Sequence, residues 1–317
     1  MVACLFYVVY NIHNKNVYSI EKTGGYTVRE IRLKARAKIN LTLDVTGKRE
    51  DGYHLLETIM QTVALYDGIY MKKLEKPVIK LKTNLPWLPT DARNLAWKAA
   101  NLMRETFGIK EGVFIEIDKR IPVAAGLAGG STDCAAVLVG MNELYGAHLS
   151  MSELCALGAK IGADVPFALM GGTCRVQGVG DFLKALPPVP ECWFTVVMPD
   201  YGVSTPEAFA AYDRVGSSIH PDCGAQEAAI RAGDLDALCA AAGNALEECS
   251  GAKDTGAIKA LLREHGAVTA LMTGSGAAVF GVFRDEGAAR AAAQAAKRRW
   301  KQVYVAQPDR GGARVSR

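Results

Sequence analysis

The sequence predicts an α+β protein of two domains. Three observations carry that expectation. Residues 31–46 alternate apolar and polar positions almost without a break, the period of an extended strand with one buried face. Helical patterns lie on either side of a glycine-rich segment at 122–132. Past a cluster of Pro187, Pro188 and Pro190, strands and alanine-rich helices come in the order of antiparallel hairpins with packed helices. At about 150 residues per domain, the 317 residues suit two domains.

The elements follow in chain order. Ile31, Leu33, Ala35, Ala37, Ile39, Leu41, Leu43 and Val45 form the apolar face of the first strand, and Lys38 and Asn40 share the other face with Arg32, Lys34 and Arg36. GKREDGYH reads as a turn and 58–70 as the next strand. Asp91 opens a helical pattern through Leu95, Ala99, Leu102, Met103 and Phe107 that Gly108 closes. A short strand at 113–117 leads to Ile121 and Pro122, and a helix on Cys134, Val137, Leu138, Met141 and Tyr145 stops at Gly146. Ser150 and Glu153 have the spacing of a capping box for a helix ended by Gly162, and Asp164 before Val-Pro starts another element. After the prolines come a strand at 193–198, a helix start at Thr205-Pro206, helices near 224–249 and 254–265, strands near 267–273 and 277–283, a helix at 285–299 and a strand at 302–306. The expected division is an N-terminal extension of unknown role (1–30), two domains (31–187 and 188–306), and a solvated basic tail (307–317).

Composition narrows the function classes. Hydrophobic residues make up 50% and charged ones 22%, which excludes a disordered or collagen-like chain. A net charge of +4 over 317 residues gives no footprint for nucleic acid or an anionic membrane. None of the 8 cysteines forms Cys-x-x-Cys, so a zinc ribbon or redox pair is not expected. Reduced thiols and a cytoplasmic location are. The apolar start MVACLFYVVY lacks a basic leader and is about half a membrane span. It is read as a poor signal peptide, an added strand or a stretch upstream of the true start, with the last two preferred.

Gly126, Gly129 and Gly130 precede Ser131, Thr132 and an amphipathic helix. Glycines permit positive φ and close backbone approach, and a helix start offers unpaired N–H groups to an anion. The loop is neither a Walker loop, having no lysine before its Ser-Thr, nor a dinucleotide fingerprint. Taken alone, Lys38, Asp164, Tyr53-His54 and Gly274-Ser275-Gly276 each have ordinary structural readings: a solvated strand face, an N-cap, a turn and a hairpin.

AKINLTLDVTGKREDGYH, IPVAAGLAGGSTDCAA, GADVPF and LMTGSGAAVF occur in this order, and with them the chain resembles the GHMP kinase superfamily over roughly residues 31–306. The Lys-x-Asn, Gly-Tyr-His and GADVPF motifs resemble its branch acting on a cytidyl-linked methylerythritol. The resemblance implies an N-terminal domain like domain 2 of ribosomal protein S5, a ferredoxin-like C-terminal domain, and an active site between them. It implies Lys38 and Asp164 as the catalytic pair. Pro122, Val123, Ala124, Ala125, Gly126, Leu127, Ala128, Gly129, Gly130, Ser131 and Thr132 would wrap the ATP phosphates, with Asn94 and Leu95 beside adenine. Asn40, Tyr53, His54, Thr205 and Phe209 would meet the substrate, with Tyr53 and Phe209 as two sides of a slot for cytosine. The implied reaction moves the γ-phosphoryl of ATP to the 2-hydroxyl of the methylerythritol unit in non-mevalonate isoprenoid synthesis. Mg2+ would take one oxygen from Ser131 or Thr132 without a dedicated protein cage. The expected partner is a small molecule, with no nucleic acid or membrane, for a monomer or weak homodimer.

Two residues depart from the superfamily's Gly-Leu-Gly-Gly-Gly-Ser-Ser: Ala128 and Thr132 replace a glycine and a serine. An alanine at 128 needs a negative φ or carries strain. Other superfamily kinases, acting on homoserine, mevalonate or a sugar, share the glycine loop without needing aromatics around cytosine. A non-catalytic RNA-binding protein on the same fold would be free to lose Lys38 and Asp164.

Overall fold

A computed structural model of the chain describes residues 28–316. The expected N-terminal extension, including MVACLFYVVY and Cys4, lies almost wholly outside the described residues. The N-terminal half contains β1 (Glu30–Lys48), β2 (His54–Leu74), β3 (Ile79–Thr83), α1 (Leu95–Phe107), β4 (Gly112–Asp118), α2 (Gly129–Tyr145), α3 (Met151–Ala159), α4 (Val165–Met170), β5 (Thr173–Gly178) and β6 (Phe182–Ala185). The C-terminal half contains β7 (Trp193–Met198), α5 (Thr205–Val215), α6 (Cys223–Ala232), α7 (Leu235–Ala240), β8 (Gly243–Asn244), α8 (Thr255–Glu264), β9 (Thr269–Met272), β10 (Val279–Phe283), α9 (Glu286–Ala296), β11 (Gln302–Ala306) and β12 (Arg314–Val315).

Two sheets organise these elements. The larger runs β12-β1-β2-β4-β3, with β5 and β6 continuing from β2 and β8 beside β1. The smaller is antiparallel, in the order β11-β7-β10-β9. Numbered within its own domain that order is 4-1-3-2, with a helix returning the chain before its last strand: the ferredoxin-like arrangement, enlarged by α5–α8 in the first crossover.

The first strand serves two cores. Ile31, Leu33 and Ala35 pack with Ile69, Met71, Leu138 and Met141 beneath α2. Ala37, Ile39 and Leu41 pack instead with Phe194, Val196, Leu271 and Phe280 of the small sheet. The register against β2 shifts between Arg36 and Lys38 and again between Asn40 and Thr42, and such irregularities bend a strand and re-aim its side chains. Period two holds throughout, but the expected solvated face does not: Lys38, Asn40 and Thr42 are all buried. Both faces of β1 are covered there because the second domain closes over the strand.

Local signals explain most boundaries. Gly108 and Gly146 end α1 and α2 in left-handed conformation, and Ser150 and Glu153 form the capping box of α3. The helix expected from Asp91 starts later: Asp91 turns back on Arg93, and Asn94 caps α1 through Ala96 N–H. The stretch expected as helix near 224–249 breaks at Gly233 and Asp234, where α6 ends and α7 is capped, and its end is the short β8 and turns. The expected tail is docked, not free, although Gln307, Arg310, Arg314 and Val315 stay exposed. Asp309 N–H donates to Thr62 O at 2.8 Å, Ala313 N–H to Ala168 O at 2.9 Å and Ser316 N–H to Arg32 O at 2.7 Å. Residues 307–316 thus return to the first domain, where unpaired backbone groups of β1 and β2 need partners.

The described cysteines are unpaired and buried; burial pushes Cys155 up to about 11 and Cys174 up to about 12. They behave as small apolar side chains. No helix among the described residues is long and apolar enough to cross a membrane.

Candidate active site

A cavity of about 530 Å³ opens between the two halves. Its floor is the start of α2 and the preceding loop, where every carbonyl from Ala124 to Ala128 has a donor. Ala124 O accepts from Val203 N–H at 3.2 Å, Ala125 O from Ala278 N–H at 3.2 Å and Leu127 O from Lys38 N–H at 3.2 Å. Gly126 O accepts from the Thr273 hydroxyl at 3.4 Å, and Ala128 O from Thr132 N–H at 2.9 Å. Thr132 is the first residue of this turn whose N–H bonds back into the helix, so the N–H groups before it remain for an anion. Gly126 is required by contact as well as by its φ of 74°: an added Cβ would stand 2.1 Å from Thr273 O. Ala128 takes the strained alternative, with φ 57°, and Ala124 does the same at φ 54°.

Lys38 and Asp164 meet at one wall. Lys38 Nζ donates to Asn40 Oδ1 at 2.7 Å and lies 3.8 Å from Asp164 Oδ2. Asn40 is itself held, by Thr58 at 2.8 Å and by Thr273 at 3.0 Å. Burial pulls the Lys38 pKa below the ordinary lysine range, and the Asp164 charge partly offsets it. Asp164 occupies the N-cap position of α4 without making the side-chain cap bond. Its carboxylate is therefore left for the cavity, where the ordinary reading made it a helix cap.

The expected residues divide into two groups. Lys38, Asn40, Asn94, Leu95, Pro122, Val123, Ala124, Ala125, Gly126, Ala128, Gly129, Gly130, Ser131, Asp164, Thr205 and Phe209 line this one cavity. Leu127, Thr132, Tyr53 and His54 do not: Leu127 is in the core between the domains, and the Thr132 hydroxyl donates to Gly129 O at 2.9 Å. The slot expected between Tyr53 and Phe209 is arranged differently. Tyr53 is 67% exposed, and it is the His54 ring that stacks on Phe209, with centroids 4.7 Å apart and planes at 22°. Asp213, four residues along α5 from Phe209, draws His54 there: His54 Nε2 is 2.7 Å from Asp213 Oδ1, and Lys48 Nζ is 2.6 Å from Oδ2.

Sequence reasoning missed a buried charge cluster at the opposite end of the cavity. Lys119 Nζ donates to Asp67 Oδ2 at 2.5 Å and to Asp133 Oδ2 at 2.7 Å. Asp67 Oδ1 also accepts from Ile121 N–H at 2.8 Å. Burial, reinforced by Asp67, pushes Asp133 well above the usual carboxylate range against the pull of Lys119. Burial opposes the charge on Lys119, but the two carboxylates overcome it and its pKa rises. The available signal was slight: Asp67 is a lone charge beside apolar residues, but Lys119 is flanked by Asp118 and Arg120. Thr273 and Ser275 were also missed as seats of the site; Ser275 pairs with the Thr205 hydroxyl at 2.9 Å.

The two-domain cleft, the anion-ready helix start and the Lys38–Asp164 pair define a small-molecule kinase of the GHMP class. The family models agree: "GHMP kinases N terminal domain" matches residues 94–172 and "GHMP kinases C terminal" matches 226–302. A 4-diphosphocytidyl-2-C-methyl-D-erythritol kinase from Clostridium botulinum is 44% identical, over 87% of this chain and 99% of its own length. The counterpart from Caldicellulosiruptor saccharolyticus is 45% identical, over 86% and 95%. A crystal structure of 4-(cytidine 5'-diphospho)-2C-methyl-D-erythritol kinase superposes with TM-score 0.74 at 34% identity, covering 87% of this chain and 98% of that one. The chain belongs to the GHMP kinases and, among them, to the family of the 4-diphosphocytidyl-2-C-methyl-D-erythritol kinases.

Proposed function

We propose that this chain transfers the γ-phosphoryl of ATP to the 2-hydroxyl of 4-diphosphocytidyl-2-C-methyl-D-erythritol, giving the 2-phosphate and ADP in non-mevalonate isoprenoid synthesis. The names of its relatives supply the substrate. The observation that carries the chemistry is the approach of Lys38 to Asp164 in the cavity that also holds the helix start.

Phosphoryl transfer needs positioning and charge stabilisation more than covalent chemistry. An ordinary aspartate (pKa about 3.9) lies roughly 12 units, or about 16 kcal/mol, below water (about 15.7), taken here to stand for the alcohol. Full deprotonation before attack is therefore excluded. Asp164 orients the hydroxyl and accepts its proton late, as the forming P–O bond acidifies it. Lys38, fixed by Asn40, offsets negative charge on the moving group. The backbone N–H groups at the start of α2 hold the phosphates, and Asn94 and Leu95 flank the adenine. Phe209 with His54 stacked on it receives the cytosine.

No group of three His, Cys, Asp or Glu among the described residues is arranged to hold a metal. Ser131 lines the cavity while Thr132 is buried outside its lining, so Ser131 fits as the one protein oxygen for Mg2+ carried in with ATP. The ion neutralises phosphate charge when bound. Buried, unpaired thiols suit a reducing compartment, the cytoplasm.

An ADP-release assay on purified protein tests the reading. Turnover with the cytidyl methylerythritol compound, and none with homoserine, mevalonate or a hexose, is the expected pattern. Preference for any of those three overturns it.

A further inference from the structure

Resting on the reading that Lys38 and Asp164 both meet the reactants, we propose that Thr273 is a positioning residue which, through Asn40, holds the Lys38 ammonium back from the Asp164 carboxylate and keeps both groups open to the substrate.

An ammonium and a carboxylate free to meet close to about 2.7–2.9 Å, and burial strengthens their attraction. Lys38 Nζ stops 3.8 Å from Asp164 Oδ2 and donates instead to Asn40 Oδ1 at 2.7 Å. Asn40 can hold that donor only if its amide is fixed. The Thr58 hydroxyl spends its one proton on Thr42 O, so toward Asn40 it can only accept, and it does so from Asn40 Nδ2 at 2.8 Å. The NH2 group is thereby set toward Thr58, and the amide oxygen is left for Lys38.

Thr273 fixes the backbone beneath that amide. The register of β1 against β2 shifts between Asn40 and Thr42, and at this irregular point Asn40 N–H donates to Thr273 Oγ1 at 3.0 Å. The proton of the Thr273 hydroxyl has two acceptors in reach, Asn40 Oδ1 and Gly126 O of the phosphate loop, each at 3.4 Å. One buried hydroxyl thus touches the residue that holds Lys38 and the loop that meets ATP. Thr273 is itself clamped. Asn244 Nδ2 donates to Met272 O at 2.9 Å and to Gly274 O at 2.8 Å, on either side of it, and Thr273 N–H donates to Ala278 O at 3.0 Å. Thr273 directly follows β9, so the second domain sets the aim of a lysine that the first domain carries.

The test uses the full chain. Thr273→Val keeps the shape and removes the hydroxyl, whereas Thr273→Ser keeps the hydroxyl. Both are assayed by ADP release with the cytidyl substrate, and crystal structures of wild type and Thr273→Val are compared. Thr273→Val is expected to lower kcat about tenfold or more, with KM for ATP within about twofold of wild type, and Thr273→Ser to recover most of the rate. In the Thr273→Val crystal the Lys38–Asn40 bond should be lost, with Nζ moved to hydrogen-bonding distance of Asp164. If Thr273→Val does not fold, Thr273→Cys replaces it, since a thiol of similar size bonds more weakly, and the same directions are expected. Wild-type kcat in that variant, a Thr273→Ser as slow as Thr273→Val, a rise in KM for ATP as large as the fall in kcat, or a Lys38 that stays on Asn40 overturns the proposal. If the wild type binds ATP but releases no ADP with the cytidyl substrate, the proposed function fails, and the crystal comparison still decides the role of Thr273.

Discussion

Lys38 Nζ lies 3.8 Å from Asp164 Oδ2, yet its hydrogen bond goes to Asn40 Oδ1, at 2.7 Å. The pair is too long for a charge-assisted hydrogen bond, and both groups line the cavity. Burial lowers the Lys38 pKa, so placing the charge there costs folding free energy.

Stability should therefore not depend on that charge. Between the lowered folded pKa of Lys38 and its free value of 10.5, the unfolded chain binds more protons, so this residue's contribution makes stability rise with pH. Lys38→Met is expected to be at least as stable as wild type at pH 7, with any advantage shrinking as pH rises through that window. Urea unfolding from pH 7 to 10 measures this; a large loss of stability at pH 7 contradicts it.

Ala128 caps α2 at φ 57° with no side-chain hydrogen bond. Left-handed backbone costs a non-glycine residue about 1–2 kcal/mol, and the greater freedom of unfolded glycine returns about 0.4–1 kcal/mol of that. Ala128→Gly is expected to stabilise the protein by about 0.5–1 kcal/mol, read as a higher urea midpoint at unchanged slope. An unchanged or lower midpoint argues against the left-handed cap.

The site was more legible than the contacts that hold it. Alternation placed Lys38 on the polar face of β1, and Gly108, Gly146 and Ser150 marked helix ends, because those signals are local. The burial of Lys38 was not legible, since it depends on a second domain closing over β1 and on two register shifts. The edge strands β3 and β6 escaped because edge strands carry little periodicity, and β5, held between β2 and β6, because six residues are too few to show it. The basic residues of the last segment pointed to solvent, while its small residues carried the packing signal: an added Cβ at Gly312 would stand 2.1 Å from Leu169 O. The position of Asp164 in the sequence suggested a cap, and only three-dimensional geometry frees its carboxylate.

That last segment is expected to be structural. Asp309 pairs with Arg36 at 2.7 Å, two residues before Lys38, and the backbone bonds of residues 307–316 fill the gap where β2 leaves β1. Ending the chain at Ala306 should cost about 2–4 kcal/mol, at roughly 1 kcal/mol per hydrogen bond. Urea unfolding of the shortened chain checks this, and wild-type stability would return the segment to the status of a solvated tail.

Phe209 is the half-buried ring on which His54 stacks. Stacking is worth about 1–3 kcal/mol per base, so Phe209→Ala should raise KM for the cytidyl substrate by about 5- to 150-fold while leaving KM for ATP near wild type. Steady-state kinetics in both substrates tests it. Equal effects on the two KM values would place Phe209 outside the base site.

The most direct test of the account is kcat for ADP release by Asp164→Asn and by Lys38→Met with the cytidyl methylerythritol substrate, each variant first shown to be folded. Loss of the positioned proton acceptor or of the neighbouring ammonium should lower kcat by about 10²–10⁴-fold. A folded variant of either kind turning over at close to the wild-type rate would remove that residue from the chemistry and contradict the proposed mechanism.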